Sequence, residues 1–191
     1  MRKINFLFAM ILMAMVSQVS FGQAFEQGTK VVSVGYGFGN LTKAIFKTYE
    51  SMDGYNYTGM GPLFAKFEYG VSDKIGLGLN VAHMGSNVKY GTGTNQTEIS
   101  ASNTSALLRM NVHFSNSDKL DAFWGTGVGY RFGSWNVKNQ DAGVDQSVPN
   151  LLPLGFETTI GVRYFFVEHV GVYAEAGLAK AVIQFGLNAK F

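Results

Sequence analysis

The sequence predicts an all-β chain: an eight-stranded antiparallel up-and-down transmembrane β-barrel preceded by a cleaved signal peptide. Three observations predict it: eight runs of alternating side chains, connections that switch between long polar stretches and tight turns, and one continuous apolar segment, at the N-terminus. Charged residues make up 15% of the 191 residues, against roughly a quarter in soluble domains, and Gly occurs 24 times. The polar character therefore comes from Gly, Ser, Thr and Asn instead of ions.

The first element is the export segment. Arg2 and Lys3 make a positive start, the run from Phe6 to Val16 is apolar, and Ser20, Phe21 and Gly22 place small residues where a signal peptidase reads. That run is shorter than the ~20 residues of a spanning helix, so residues 1–22 are expected to be a signal peptide cut after Gly22, and residues 23–191 the outer-membrane β-barrel domain. Without Arg2 and Lys3 the basic residues equal the 13 acidic ones, so the formal charge of +2 belongs to the signal and gives no support to nucleic-acid binding. The absence of Cys excludes a disulfide framework and a lipid-modified N-terminal Cys, and the mature N-terminus near Gln23 is expected to be free and soluble.

Past residue 28 the period-2 pattern of a two-faced strand dominates. The first run sets Val32, Val34, Tyr36 and Phe38 against Ser33, Gly35, Gly37 and Gly39; the second sets Leu63, Ala65, Phe67 and Tyr69 against Phe64, Lys66 and Glu68. The third opposes Leu77, Leu79 and Val81 to Gly78, Asn80 and Ala82, and the fourth opposes Leu108, Met110 and Val112 to Arg109, Asn111 and His113. In the fifth, Trp124, Thr126, Val128 and Tyr130 alternate with Gly125, Gly127, Gly129 and Arg131, and in the sixth Phe156, Thr158 and Ile160 alternate with Glu157, Thr159 and Gly161. The seventh pairs Val172, Ala174 and Ala176 with Tyr173 and Glu175, and the eighth pairs Ile183, Phe185 and Leu187 with Gln184, Gly186 and Asn188. Each run is about the 9 to 11 residues that a tilted strand needs to cross a bilayer.

Long polar stretches at about 40–60, 83–104 and 133–152 are expected to be outer loops, and the segments around Asp73, Ser117 and His169 to be periplasmic turns, with a very short fourth outer connection near residues 179–181. The apolar face carries no charge in any run, while the opposite face is mostly Gly with a few ions, which suits lipid outside and a narrow lumen inside. Trp124, Tyr69, Phe114, Tyr164 and Phe191 fall at the periplasmic ends of that face and Phe38, Tyr130, Phe132 and Phe156 at the outer ends, the two-girdle arrangement of membrane barrels.

This pattern resembles the small outer-membrane β-barrel family typified by OmpX and the membrane domain of OmpA. Its most specific piece is the C-terminus, where Gln184, Gly186, Ala189 and Phe191 look like a barrel-assembly signal ending in an aromatic residue. The resemblance implies the cell outer membrane, insertion by the barrel-assembly machinery, a side-chain-filled interior, and roles in anchoring, adhesion or envelope integrity; a non-enzymatic protein is expected.

Eight inward ions, Lys66, Glu68, Arg109, Asp121, Arg131, Glu157, Arg163 and Glu175, are expected to form a structural charge network, because buried charges must be paired. A narrow low-conductance pore is the sharper alternative, one that eight strands leave little room for. Phe64, Leu107, Phe123 and Tyr173 are expected to help plug the lumen. His83, His113 and His169 have no metal-ligand spacing, the alternating glycines match no phosphate-binding motif, and neither metal nor cofactor is expected. A lipid A-modifying acyl hydrolase or transferase built on Ser86 or Ser100 with His83 is the enzymatic alternative. Tyr49, Tyr55 and Tyr57 in the first long connection are candidate contact residues, since exposed Tyr offers a large amphipathic surface. The expected partners are outer-membrane lipid, the assembly machinery, and a surface ligand or host protein met through the loops; the barrel is expected to be a monomer.

Overall fold

The structure is a computed structural model that describes residues 23–139, 143–149 and 153–191; the expected signal segment lies outside them. The described strands are β1 (Lys30–Phe38), β2 (Asn56–Ser72), β3 (Ile75–Tyr90), β4 (Thr97–Asn116), β5 (Leu120–Asn139), β6 (Val144–Pro149), β7 (Leu154–Val167), β8 (Val170–Leu178) and β9 (Ile183–Lys190). Each pairs antiparallel with its neighbours, and β1 pairs with both β2 and β9, so no edge is left open at that seam. β5 pairs with β7 along Leu120–Tyr130 and with β6 along Ser134–Asn139, so β6 continues the line of β7 and the closed ring has eight strands. Closure is what hydrocarbon demands, because an unpaired backbone group there has no water to bond.

The side-chain alternation sorts chemistry inside-out relative to a soluble protein. Leu108, Val128 and Ile160 are exposed on the outer wall, while Asp121, Glu157 and Arg163 are buried in the lumen. The aromatic residues of the two girdles are exposed on the same wall.

Two expectations need correction. Two of the three long polar connections, 83–104 and 133–152, are largely strand: β2 to β5 run 17, 16, 20 and 20 residues, against 9, 9 and 8 for β1, β8 and β9. The extra length of β2–β5, with β6, rises past the ring on one side as a fin. Its register is continuous with the barrel below, from Leu108↔Val128 up to Thr97↔Asn139. Residues 83–104 still alternate, but in Ser, Thr, Asn and Ala instead of large apolar residues, so a hydrophobicity pattern does not register them as strand. Inside the fin lies a short helix, α1 (Leu41–Phe46), whose N-cap Asn40 accepts a 2.7 Å bond from the Lys43 N–H and so satisfies one of the donors a helix start leaves open.

The second correction concerns the N-terminal residues, which are soluble-facing in sequence but tethered in the structure. Residues 23–29 strap the mouth of the barrel that carries the β2–β3 and β4–β5 turns. The Ala24 N–H donates to Ser117 O at 2.7 Å, the Phe25 N–H to Asn116 Oδ1 at 3.1 Å, the Gln27 N–H to Asp73 Oδ1 at 3.0 Å and the Gly28 N–H to Gly70 O at 2.8 Å. Ala24 and Phe25 are buried. The β2–β3 and β4–β5 turns therefore hold the strap as well as joining strands.

Candidate functional site

The lumen is built by the inward positions of all eight strands of the ring, and glycine makes room for its long side chains. A Cβ at Gly125 would strike the Arg109 guanidinium and Asn111, and one at Gly161 would strike Phe123 and Glu175. Arg109 is the hub. Its Nη1 donates to Glu157 at 2.7 Å, its Nη2 to Glu175 at 2.8 Å and to Thr159 Oγ1 at 2.9 Å, and its Nε to Asn111 at 2.8 Å. Lys66 completes Glu175 at 2.6 Å, and Asn80 donates to Glu157 at 2.7 Å.

Nearer the strapped mouth a second layer joins Arg163 to Glu68 and, at 3.2 Å, to Asp121. Between these two carboxylates stands His113, with Nε2 2.8 Å from Glu68 Oε1 and Nδ1 2.6 Å from Asp121 Oδ1. The ring can donate to both only with a hydrogen on each nitrogen, which is its charged form. In that form four cations, Lys66, Arg109, Arg163 and His113, balance the four acids. Phe25 of the strap stacks on the His113 ring at 3.5 Å between centroids and 9° between planes, and the Arg163 guanidinium lies 4.3 Å from the Phe123 ring centroid. The strap thus closes the lower layer with an aromatic face, the surface that best suits a cation.

Of the eight inward ions expected to join one network, seven are brought together. Arg131 stands apart, nearer the outer mouth, with its Nε buried and without a hydrogen-bond partner. There it lies near Lys180, whose Nζ donates to Asn103 O at 3.0 Å and to Asn103 Oδ1 at 2.5 Å. Burial, with a smaller contribution from Arg131, pushes the Lys180 ammonium down to about 7. His113, Asn80, Asn111 and Thr159 are the network members missing from the sequence reading. Their inward register was the available signal: Asn111 and His113 lie two and four residues from Arg109, Thr159 lies two from Glu157, and Asn80 alternates with the outward Leu79 and Val81.

Phe64, Leu107, Phe123 and Tyr173 are all buried, and a void of ≈ 10 Å³ beside Lys66, Glu68, Arg109 and Arg163 is room for about one water. Of the terminal residues, Gln184 is fully buried and Gly186 lies against the Tyr173 ring, whereas Ala189 pairs with Val32 near the end of β9 and Phe191, just past it, is exposed and bonds the Lys30 backbone.

Above the ring the inward chemistry reverses. Phe46 of α1, Val88 and Ala101 form a small apolar core with Tyr55, Tyr57, Ile99 and Trp135 packed on it, the Phe46 and Trp135 rings meeting edge-on at 5.6 Å. Tyr57 bonds Ser86 Oγ at 3.0 Å, Lys43 lies 5.6 Å over the Tyr57 ring, and Tyr49 stacks on Tyr90 at 5.0 Å. The three tyrosines expected as loop contact residues are half-buried in these contacts, which pin the first connection into the fin. The serines weighed as nucleophiles bond elsewhere than His83: Ser86 to Tyr57, Ser100 to Asn87 at 2.8 Å, and His83 Nδ1 to Thr104 Oγ1 at 2.8 Å. His169 Nδ1 meets Lys190 O at 3.0 Å in its turn.

No family model and no curated protein matches the sequence. Among solved structures, Ail, the attachment invasion locus protein of Yersinia pestis, in complex with the heparin analogue sucrose octasulfate, aligns with a TM-score of 0.50 at 10% identity, covering 86% of this chain and 99% of that one. The N-terminal β-barrel domain of Pseudomonas aeruginosa OprF aligns at 0.45 and 16% identity over 87% of this chain and 98% of that one. OprG of the same organism aligns at 0.46 and 15% identity over 87% and 97%. In fold, this chain is a closed eight-stranded antiparallel β-barrel, similar to the barrel of Ail.

Proposed function

We propose that the chain is exported through residues 1–22, cut after Gly22, inserted into the outer membrane with Gln184, Gly186, Ala189 and Phe191 as its assembly signal, and serves there as a non-enzymatic structural and surface-interaction protein. The observation that carries this reading is the division of labour along the strands. The lumen is lined by seven paired ions and buried aromatic side chains, whereas β2–β6 extend beyond the ring as a paired sheet. Eight strands give an interior that side chains fill, and the Arg109 and Arg163 layers fill it. Adhesion or envelope integrity is the role that suits a closed barrel with an ordered outer surface, and lipid, the assembly machinery and a surface ligand are its partners.

Deletion of the gene, followed by lipid A profiling and a surface-adhesion assay, tests the proposal. Altered adhesion or envelope integrity with an unchanged lipid A profile is the expected result. A changed acylation pattern of lipid A would overturn it in favour of an enzyme. Planar-bilayer recording of the refolded chain is expected to give no large, stable single-channel steps, and such steps would overturn the closed lumen.

A further inference from the structure

The outward face of the fin is a regular array. Across the strands, Thr58, Asn87, Ser100, Asn136 and Ser147 lie in one register row, and Gly85, Ser102 and Ser134 lie in the row below it. One row further down, His83 and Thr104 share their register with Phe132, the outermost aromatic of the upper girdle on β5. On β4 the same outward face that carries Leu108 and Met110 in the barrel wall carries Thr104, Ser102 and Ser100 above it, with no break in pairing.

Height places this array. Rows on one face are two residues apart, about 6.7 Å along a strand, or about 5 Å in height at the ~40° tilt of membrane barrels. The row of Ser102 and Ser134 therefore lies ~5 Å above the aromatic girdle and the row of Ser100 and Asn136 ~10 Å above it. The polar layer of a bilayer is ~5–8 Å deep on each side. The lower row faces head groups, and the upper row is reached only by a head group thicker than a phospholipid's.

Chemistry narrows the occupant. Among the described residues, the side chains of Ser102, Ser134 and Asn136 make no hydrogen bond to protein, and Asn87 spends its amide N–H on Ser100 and Glu98, leaving its carbonyl outward. The charges of the next row up are paired, Lys89 with Glu98 at 3.4 Å and Lys138 with Asp145 at 3.7 Å. An array of open hydroxyl and amide groups without an unpaired cation suits neutral hydroxyls, not phosphate, and strands ~4.8 Å apart space those groups at about the length of one sugar ring. We propose that this face, centred on Asn87, Ser100, Ser102, Ser134 and Asn136, binds the sugar head groups of outer-leaflet glycolipid standing against the barrel. The proposal rests on the membrane reading above. What stands beside the apolar wall continues upward to this face.

The test refolds the chain from Gln23 into vesicles of phosphatidylcholine, of phosphatidylcholine with lipid A, and of phosphatidylcholine with lipopolysaccharide that carries its core oligosaccharide. The urea midpoint is read in each, for the natural chain and for Ser100→Val, Ser102→Val, Ser134→Val combined. The natural chain is expected to gain about 1 M in midpoint with core-bearing lipopolysaccharide over lipid A, the size of shift a ligand well above its Kd produces. The triple variant is expected to lose that gain while matching the natural chain in phosphatidylcholine. An equal gain with lipid A, or a variant that keeps the gain, would overturn the proposal. Failure to insert into any vesicle would sink the membrane reading itself, and the proposal with it.

Discussion

The lumen and the fin are made by the same strands, yet their chemistry is opposite. On β4, Arg109, Asn111 and His113 point inward and Leu108 and Met110 outward in the barrel, while Ala101 and Ile99 point inward and Ser100 and Ser102 outward in the fin. Parity does not change; the solvent outside does. In hydrocarbon the outer face must be apolar and the polar groups turn inward, where each must find a partner. Above the membrane, water takes the polar face and the apolar residues collapse on one another. The crossover falls between Ala101 and Leu108, and it marks the membrane boundary from side-chain chemistry alone.

The sharpest way to break this comparison is to remove a hub. Arg109→Leu leaves Glu157 and Glu175 buried without their shared cation and is expected to cost ~3–5 kcal/mol, read as a fall in the urea midpoint in lipid vesicles. Lys89→Ala, which breaks an ion pair on the fin surface, is expected to cost ~1 kcal/mol or less. Equal losses would show that the lumen is wet.

A charge on the outer wall comes next. Val128→Arg places a cation near the bilayer midplane at a cost of ~2–4 kcal/mol, and Val128→Leu is expected to be nearly silent. Ser100→Arg, on the same outward face of the neighbouring strand but in the fin, is expected to be silent as well, and a large loss there would move the boundary upward.

Glycine substitutions sharpen the packing side of the comparison. A Cβ at Gly129 would strike Ala106 O and the Leu107 backbone, so Gly129→Val is expected to cost ~1–3 kcal/mol by overpacking. Nothing lies within 4 Å of a Cβ at Gly85 in the fin, and Gly85→Val is expected to leave the midpoint unchanged.

The smallest effect is a pH dependence. Lys180 is held at about 7 in the folded chain and returns to 10.5 on unfolding, so between those values the unfolded chain binds more protons. Stability is therefore expected to rise with pH from about 7 to 10.5 and to be flat below that window for this group. Lys180→Met should remove this part of the slope, and an unchanged pH profile between pH 7 and 10.5 would place the ammonium in water.

Much of this was legible in the residues. The eight alternating runs, the tight turns at Asp73, Ser117 and His169 and the sorting of aromatics to strand ends follow from local pattern. The strand character of residues 83–104 did not, because pairing there is supported by neighbouring strands and by the Phe46, Val88 and Ala101 core instead of by a hydrophobic stripe. Arg131 was grouped with the lumen ions on register alone. Register gives the face but not the height of a partner on another strand, and the place it left in the charge balance is filled by His113. Tyr55 and Tyr57 looked like displayed loop residues because nothing local reveals that a six-residue helix brings Phe46 against them.

The sequence by itself determined the period, the number of membrane-crossing runs and which face meets lipid, because these depend on alternation along a single strand and on the cost of a charge in hydrocarbon. Only the tertiary structure decided which ion pairs with which, that Phe25 caps His113, and that β2–β6 stand up as a fin. Those depend on shear and closure of the whole ring, which set the height at which each strand meets its neighbours and across which distances side chains from opposite walls can touch.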